Sequence, residues 1–344
     1  MAVPVSLLNT LSLPDFTSLT EQQFIEGESL VDDYAAARSL FVEVPIPKNS
    51  GSTKQFNEVD SETYAAFKAE GADAKKARVV MGYSLTMTKR RFAKEIDITF
   101  EMRDENRHPE VVSQLTNLST FCWQRMAIDL THRLTFATAV SYADMDGETV
   151  GTTVGDGLAL VSAVHTLSGS ATTYSNVITG NPIFSKGGFQ IARDQANKQI
   201  LSNFGEFRVM NFDTVVTGDD PATIDEVNIL KVSTTDPTQN NPGVVNSYRG
   251  SFRHVILPRL ATTAVGARDT TKDKYWAYIA TSGVGGQRWE AYFGIWEAPH
   301  LIAPAPGNNA ENVHSDTWSF GTRVGYGICT VSPKGFLLST GVGA

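Results

Sequence analysis

DENRHPEVVSQLTNLSTFCWQRMAIDLTHRLTFATAVSYAD, running from Asp104 to Asp144, is the stretch on which the fold turns. Val111, Leu115, Leu118, Cys122 and Met126 recur at spacings of three and four, and Leu130, Leu134 and Ala137 continue the stripe. This is the signature of one apolar face of an α-helix. Pro109 stands where a first-turn proline is tolerated, and Met145-Asp146-Gly147 is a turn that stops the run. The pattern predicts a helix over about 107–141, a rod of roughly 50 Å at 1.5 Å per residue. No heptad with charged flanks accompanies it, so it reads as a spine on a flat molecule rather than a coiled coil.

The residues before this helix read as an arm and an excursion. In the first 40 residues Pro4, Pro14 and Gly27 prevent a long element, while Thr20 and Gln23 have capping-box spacing for a short helix. So few apolar residues bury little alone, and the arm is expected to lie on something else. Leu40, Val42, Val44 and Ile46 then alternate as a strand, with Pro45 and Pro47 marking a sheet edge. A hydrophilic passage with Asn49, Ser50, Gly51 and Ser52 follows, and a second strand places Ile96, Ile98, Phe100 and Met102 on one face. The segment from about 42 to 100 is predicted to be an extended two-stranded loop covered by another subunit, because a projection of about 50 residues cannot bury a core of its own. The plainer alternative is a flexible surface insertion.

Beyond the long helix, Ser185 to Glu206 predicts a second helix with Phe189, Ala196 and Ile200 inward and Gly205 as its stop. The remainder reads as β-rich with polar connections, among them TGDDPATIDE (217–226) and TTDPTQNNPGVVNS (234–247). Strands are predicted in 250–258, 274–280, 288–296 and 317–331. In the last, Trp318, Phe320, Val324, Tyr326 and Ile328 share a face. Gly321, Gly325 and Gly327 lie on the other, which implies the close approach of another element. No internal repeat is present.

Composition sets the class. The 344 residues suffice for one large or two ordinary domains, and 41% hydrophobic with 19% charged residues is globular. A net charge of −8 argues against a surface built to grip nucleic-acid phosphates, while suiting a container wall that meets nucleic acid without holding it. Cys122 and Cys329 are the only cysteines and read as buried apolar residues in a reducing compartment. The N-terminus lacks a basic signal-peptide region and no stretch has the apolar length of a membrane helix, so a soluble protein used inside a cell is expected.

Candidate chemistry is sparse. In DGLALVSAVHTLSGSATTYSN (156–176), His165 lies near Ser162 and Ser168, which raises a hydrolase as a rival reading. The stretch lacks a GxSxG elbow, and a structural histidine is the better reading. His108, His132, His254, His300 and His314 have no metal-ligand spacing. Asp144, Asp146 and Glu148 resemble a calcium loop only faintly and read as a turn. Asp219, Asp220, Asp225 and Glu226 read as a solvated acidic loop, and Gly283 to Gly286 is not a phosphate-binding loop. No catalytic, cofactor or metal site is assigned. Lys89, Arg90, Arg91 and Lys94 form the one dense basic cluster. With Glu95, Asp97, Glu101, Asp104 and Glu105 following, it is expected to make inter-subunit contacts with carboxylates rather than specific contacts with DNA.

In the order of these elements the chain resembles the major capsid proteins of tailed bacteriophages, in detail the Mu-like major head subunits. Asp156, Gly157, Leu158, Leu160, Ser162, His165, Gly169, Ser175 and Asn176 carry the first motif, with Thr166 where that family more often has proline. VVNSYRGSFRHVILPRL (244–260), the aromatic strand with Tyr275, Trp276 and Tyr278, and SFGTRVGYGICTVSPKGF (319–336) carry the rest. The resemblance covers about residues 30 to 340. It implies an α+β, HK-97-like capsid fold: an N-terminal arm (1–40), an extended two-stranded loop, the E-loop, with its strands (41–104), and a peripheral domain (105–205) holding the spine helix. A mainly axial β-rich domain (206–317) and a closing strand with the C-terminus (318–344) complete it. It further implies self-assembly as hexamers and pentamers into an icosahedral shell enclosing double-stranded DNA, without sequence-specific binding, enzymatic activity, cofactors or membrane contact. Localisation would be the virion capsid, assembled in the host bacterial cytoplasm. A portal and a decoration protein are further implied partners. Because the extended-loop strands begin by residue 40, a separate scaffolding protein is expected. The rival readings are an encapsulin-type compartment, which shares the fold, and another phage structural protein of the tail or adhesin kind.

Overall fold

The long helix is the element on which the others are laid. In the structure, a computed structural model describing residues 27–62, 64–99, 101, 108–199, 202–207, 210–236, 244–283, 288–303 and 317–343, the helices are α1 (Asp32–Arg38), α2 (His108–Thr135), α3 (Lys186–Gln199) and α4 (Pro221–Val232). Helix α2 has 28 residues, about 42 Å at the standard rise. Its stripe is inward as read: Leu115, Leu118, Cys122, Met126, Leu130 and Leu134 are all buried, as is Ala137 just beyond it. The helix stops at Thr135 rather than near 141. There Thr135 Oγ1 donates to the carbonyl of Leu260 (2.9 Å), and beyond it residues 141–143 pair as a strand.

One four-stranded sheet packs against α2. Its order is β1 (Val42–Pro45), β12 (Ala291–Ile302), β13 (Thr317–Thr330), β4 (Arg90–Thr99). Strand β1 joins β12 in parallel at the edge, where Pro45 is tolerated, and the other pairings are antiparallel. Phe320, Val324 and Tyr326 face the core, whereas Trp318 is only half-buried. The glycines opposite do admit close neighbours. A Cβ on Gly325 would lie 2.6 Å from Trp296 Nε1, and one on Gly327 would lie 2.7 Å from Met87 Cγ.

A second four-stranded sheet has the order β10 (Arg253–Ile256), β9 (Thr214–Thr217), β11 (Trp276–Ile279), β14 (Phe336–Ser339). Phe189, Ala192 and Ala196 of α3 and Val227 and Leu230 of α4 share a buried cluster with Trp276 and Tyr278 of this sheet. Ile200, read as inward on the second helix, lies outside the described residues, as do Phe100 and Met102. Strands β12 and β13 belong to the first sheet and β14 to the second, so the closing segment ties the two together. The stretch 206–317 is thus divided between the sheets.

Three readings are corrected. Residues 217–226 are not merely a polar connection. Asp220 caps α4 by accepting from Thr223 N (2.9 Å), with Pro221 in its first turn. The segment 42–100 is not one hairpin: β1 and β4 are strands of the first sheet, and only β2 (Thr53–Ser61) and β3 (Val79–Thr88) form a ribbon. The alternating apolar residues of the outer strands, Ile46 and Ile98 among them, are needed in the core and are buried there. Finally, residues 27–40 of the expected arm pack on the body, with Val31, Tyr34, Ala37 and Leu40 buried. The capping-box helix at Thr20 lies outside the described residues.

Candidate functional site

His165 begins the small hairpin β7 (His165–Leu167) and β8 (Ser170–Tyr174), so the 156–176 stretch is strand and turn. Its ring is fully buried. Nδ1 is 2.7 Å from Asp156 Oδ2 and Nε2 is 3.3 Å from the carbonyl of Leu160. Both nitrogens are therefore engaged without a serine hydroxyl. Burial pushes the Asp156 carboxyl up, but the His165 ring and the Leu158 N–H outweigh it and hold the group below the usual carboxylate range. Asn176 closes the motif, accepting from Ser162 N (2.8 Å) and donating to Leu160 O (2.6 Å). This motif is a hydrogen-bonded brace and not a nucleophile with its base.

The acidic turn after α2 is equally occupied. Asp144 accepts from the backbone N–H groups of Asp146 (3.0 Å) and Glu148 (2.9 Å), shaping the turn between β5 (Ser141–Ala143) and β6 (Thr149–Gly151). Its other oxygen meets Arg125 (2.9 Å) and Arg90 (3.2 Å). Arg125 also reaches Asp129 (3.1 Å) and Asp146 (2.6 Å). Burial pushes the Asp129 carboxyl up, against the pull of Arg125 and of Tyr326, whose hydroxyl donates to it at 2.6 Å. Guanidinium groups stand where a cation would sit. Among the described residues no cluster of His, Cys, Asp and Glu could hold a metal.

The basic cluster is divided by its surroundings. Arg90 is half-buried on Asp144, and Lys89 donates to Pro47 O (3.2 Å) and Ser50 Oγ (2.8 Å). Arg91, its side chain 70% exposed, approaches Glu297 at 3.3 Å, and Lys94 lies exposed over the Phe121 ring. The sequence leads to the expectation of carboxylates on a neighbouring subunit for all four residues. Arg90 and Arg91 have carboxylates of their own chain.

The ribbon β2–β3 was legible only as an excursion. At its base Phe56 stacks on Tyr292, and Met87 is buried against Gly294 and Gly327. Past the register shift between Asn57 and Val59 the polarity inverts. Glu58 and Asp60 turn inward and are buried, while Val59, Val79 and Met81 turn outward at 57%, 65% and 68% exposure. Phe67, in the connection at the tip, is 93% exposed. The inward carboxylates are anchored: Lys334 Nζ donates to Glu58 Oε1 (2.8 Å), and Asn203 N donates to Asp60 Oδ2 (2.8 Å). Sequence reasoning missed Glu58, Asn203 and Lys334 altogether. An alternation with charges on the expected inward face was the one available signal.

No family model and no curated protein matches the chain. Solved structures do. The capsid of the cyanophage P-SCSP1u is similar at 10% identity and a TM-score of 0.48, over 88% of this chain and 86% of that one. The capsid of Myoviridae phage XM1 is similar at 11% identity and 0.45, over 89% and 90%. The procapsid of bacteriophage JBD30 is similar at 8% and 0.44, over 98% and 76%.

Proposed function

We propose that this chain is the repeating subunit of a bacteriophage capsid shell and not an enzyme. One observation carries the reading: a ribbon that buries carboxylates against its own body and turns Val59, Val79 and Met81 to solvent. Contiguous apolar surface of this kind marks an interaction site. A second copy of the chain supplies the cover, in keeping with the capsid motifs of the sequence. The finer reading rests on those motifs: a major head subunit of the Mu-like type, assembling as hexamers and pentamers around double-stranded DNA, with scaffold and portal as separate proteins. Arg91 and Lys94, the exposed half of the basic cluster, then face carboxylates of a neighbour. Many weak contacts repeated over a closed assembly hold it together.

The test is expression of the chain alone and with its candidate scaffolding protein, followed by negative-stain microscopy. Closed shells of uniform diameter are expected. A folded chain that stays monomeric in both preparations overturns the reading.

A further inference from the structure

Strand β4 ends the first sheet, paired among the described strands with β13 alone. In an antiparallel pair, alternate residues turn their N–H and C=O groups away from the partner strand. From Arg91 to Asp97 no described segment answers those outward groups with a backbone bond. The edge is also open. Four consecutive residues, Arg91 to Lys94, line a cavity of about 530 Å³ together with Phe121 and Ile128 of α2 and Met145 and Asp146 of the turn between β5 and β6. Successive strand residues point to opposite faces, so a cavity that touches all four touches the strand's edge itself. An unpaired edge of this length is a template for another extended strand.

Charges on an edge strand ordinarily keep other strands away. Here their order does the reverse. On the outer face, alternate positions read Lys89, Arg91, Ala93, Glu95 and Asp97: two cations, a methyl group and two carboxylates. Arg91, Ala93, Glu95 and Asp97 are all exposed. A strand with this order is complementary to itself run backwards. Turned about a two-fold axis through Ala93, a second copy sets Arg91 opposite Glu95 and Lys89 opposite Asp97, and the symmetry repeats both pairs. The registers on either side fail: one sets Lys94 against Lys94, and the other sets Arg90 against Lys94. We infer that two copies of this chain join along β4 as antiparallel strands centred on Ala93, making one eight-stranded sheet of their first sheets. Arg91 keeps Glu297 of its own chain at 3.3 Å and has further donors for Glu95 of the second copy. On the inner face Lys94 of each copy enters the other's cavity, whose wall carries Asp146. The inference goes beyond the shell reading and does not depend on it.

The experiment is disulfide trapping in the purified full-length chain, with folding checked by circular dichroism and assembly by microscopy. Directly opposed residues have Cα atoms about 4.5–5.5 Å apart, within reach of a disulfide. Ala93→Cys, oxidised and run without reductant, should therefore give a dimer band that a reductant returns to monomer. Glu95→Cys should give none, because its symmetry mate lies four residues away, about 13 Å along the strand. The wild-type chain, whose Cys122 and Cys329 are buried, sets the background. Adding Glu95→Lys to Ala93→Cys, or raising the salt, should lower the trapped fraction several-fold. As a check that leaves Ala93 in place, an equal mixture of Arg91→Cys and Glu95→Cys chains should cross-link where neither alone does. A folded Ala93→Cys chain that gives no dimer overturns the pairing, as do equal trapping of Glu95→Cys, a trapped fraction indifferent to Glu95→Lys, and a mixture that stays monomeric. Closed shells without a trapped dimer would remove the pairing and leave the shell reading; a trapped dimer without shells would do the opposite.

Discussion

Helix α2 and the ribbon β2–β3 are both long elements laid against the body, and they bury opposite kinds of surface. Along α2 the inward positions are Leu115, Leu118, Met126, Leu130 and Leu134, and removal of apolar area from water holds the helix down. Along the outer half of the ribbon the inward positions are Glu58 and Asp60, held by Lys334 and by the backbone of Asn203. The helix has spent its apolar surface within the chain. The ribbon keeps Val59, Val79 and Met81 outside. A stripe buried within the subunit and a stripe left at its surface are thus separated in space, which under the proposed function lets folding precede association.

The largest effect expected from breaking this contrast is on the helix. Leu130→Ala deletes a fully buried side chain and should cost about 2–5 kcal/mol, read as a lower urea midpoint with an unchanged slope. A midpoint unchanged by this substitution would mean that the stripe is not the core. A smaller effect follows from His132 on the same helix. Burial, with Lys272, Arg125 and Arg259 nearby, pulls its pKa down to about 4. The folded state then binds fewer protons than the unfolded one between about pH 4 and 6.5, so stability is fully present above that window and falls as pH drops through it. His254, also about 4 through burial and Lys231, adds in the same direction. Thermal unfolding should shift down between about pH 7 and 5, and His132→Phe should flatten the slope without abolishing it. The smallest effect on the subunit belongs to the ribbon. Val59→Ser with Met81→Ser should change stability by no more than about 0.5 kcal/mol, yet reduce particle yield at equal subunit concentration. Normal particle yield from a stable double variant would dissolve the comparison.

Legibility followed the range of the signal. The apolar spacing of α2 was readable because each residue of the stripe lies within one turn of the next. Strand β13, with its glycine face, was readable by the same local logic. Helix α4 has a local signal too, Asp220 before Pro221, but the surrounding acidic residues favour a loop, and the burial of Val227 and Leu230 that holds the helix is set by the sheet it packs on. The basic cluster is legible as a run of residues, whereas the distinction between half-buried Arg90 and exposed Arg91 depends on Asp144 and Glu297, which lie far along the chain.

Sequence by itself determined the elements whose periodicity or end chemistry is local: the long helix, the closing strand, and the edge strand with its prolines. Only the tertiary structure decided which strands share a sheet, where the ribbon inverts its polarity, and which groups meet at Lys334. Glu58 and Lys334 are separated by 276 residues and their contact has no spacing to betray it. Burial is a property of what packs on a residue, and for these groups the packing partners come from the opposite end of the chain.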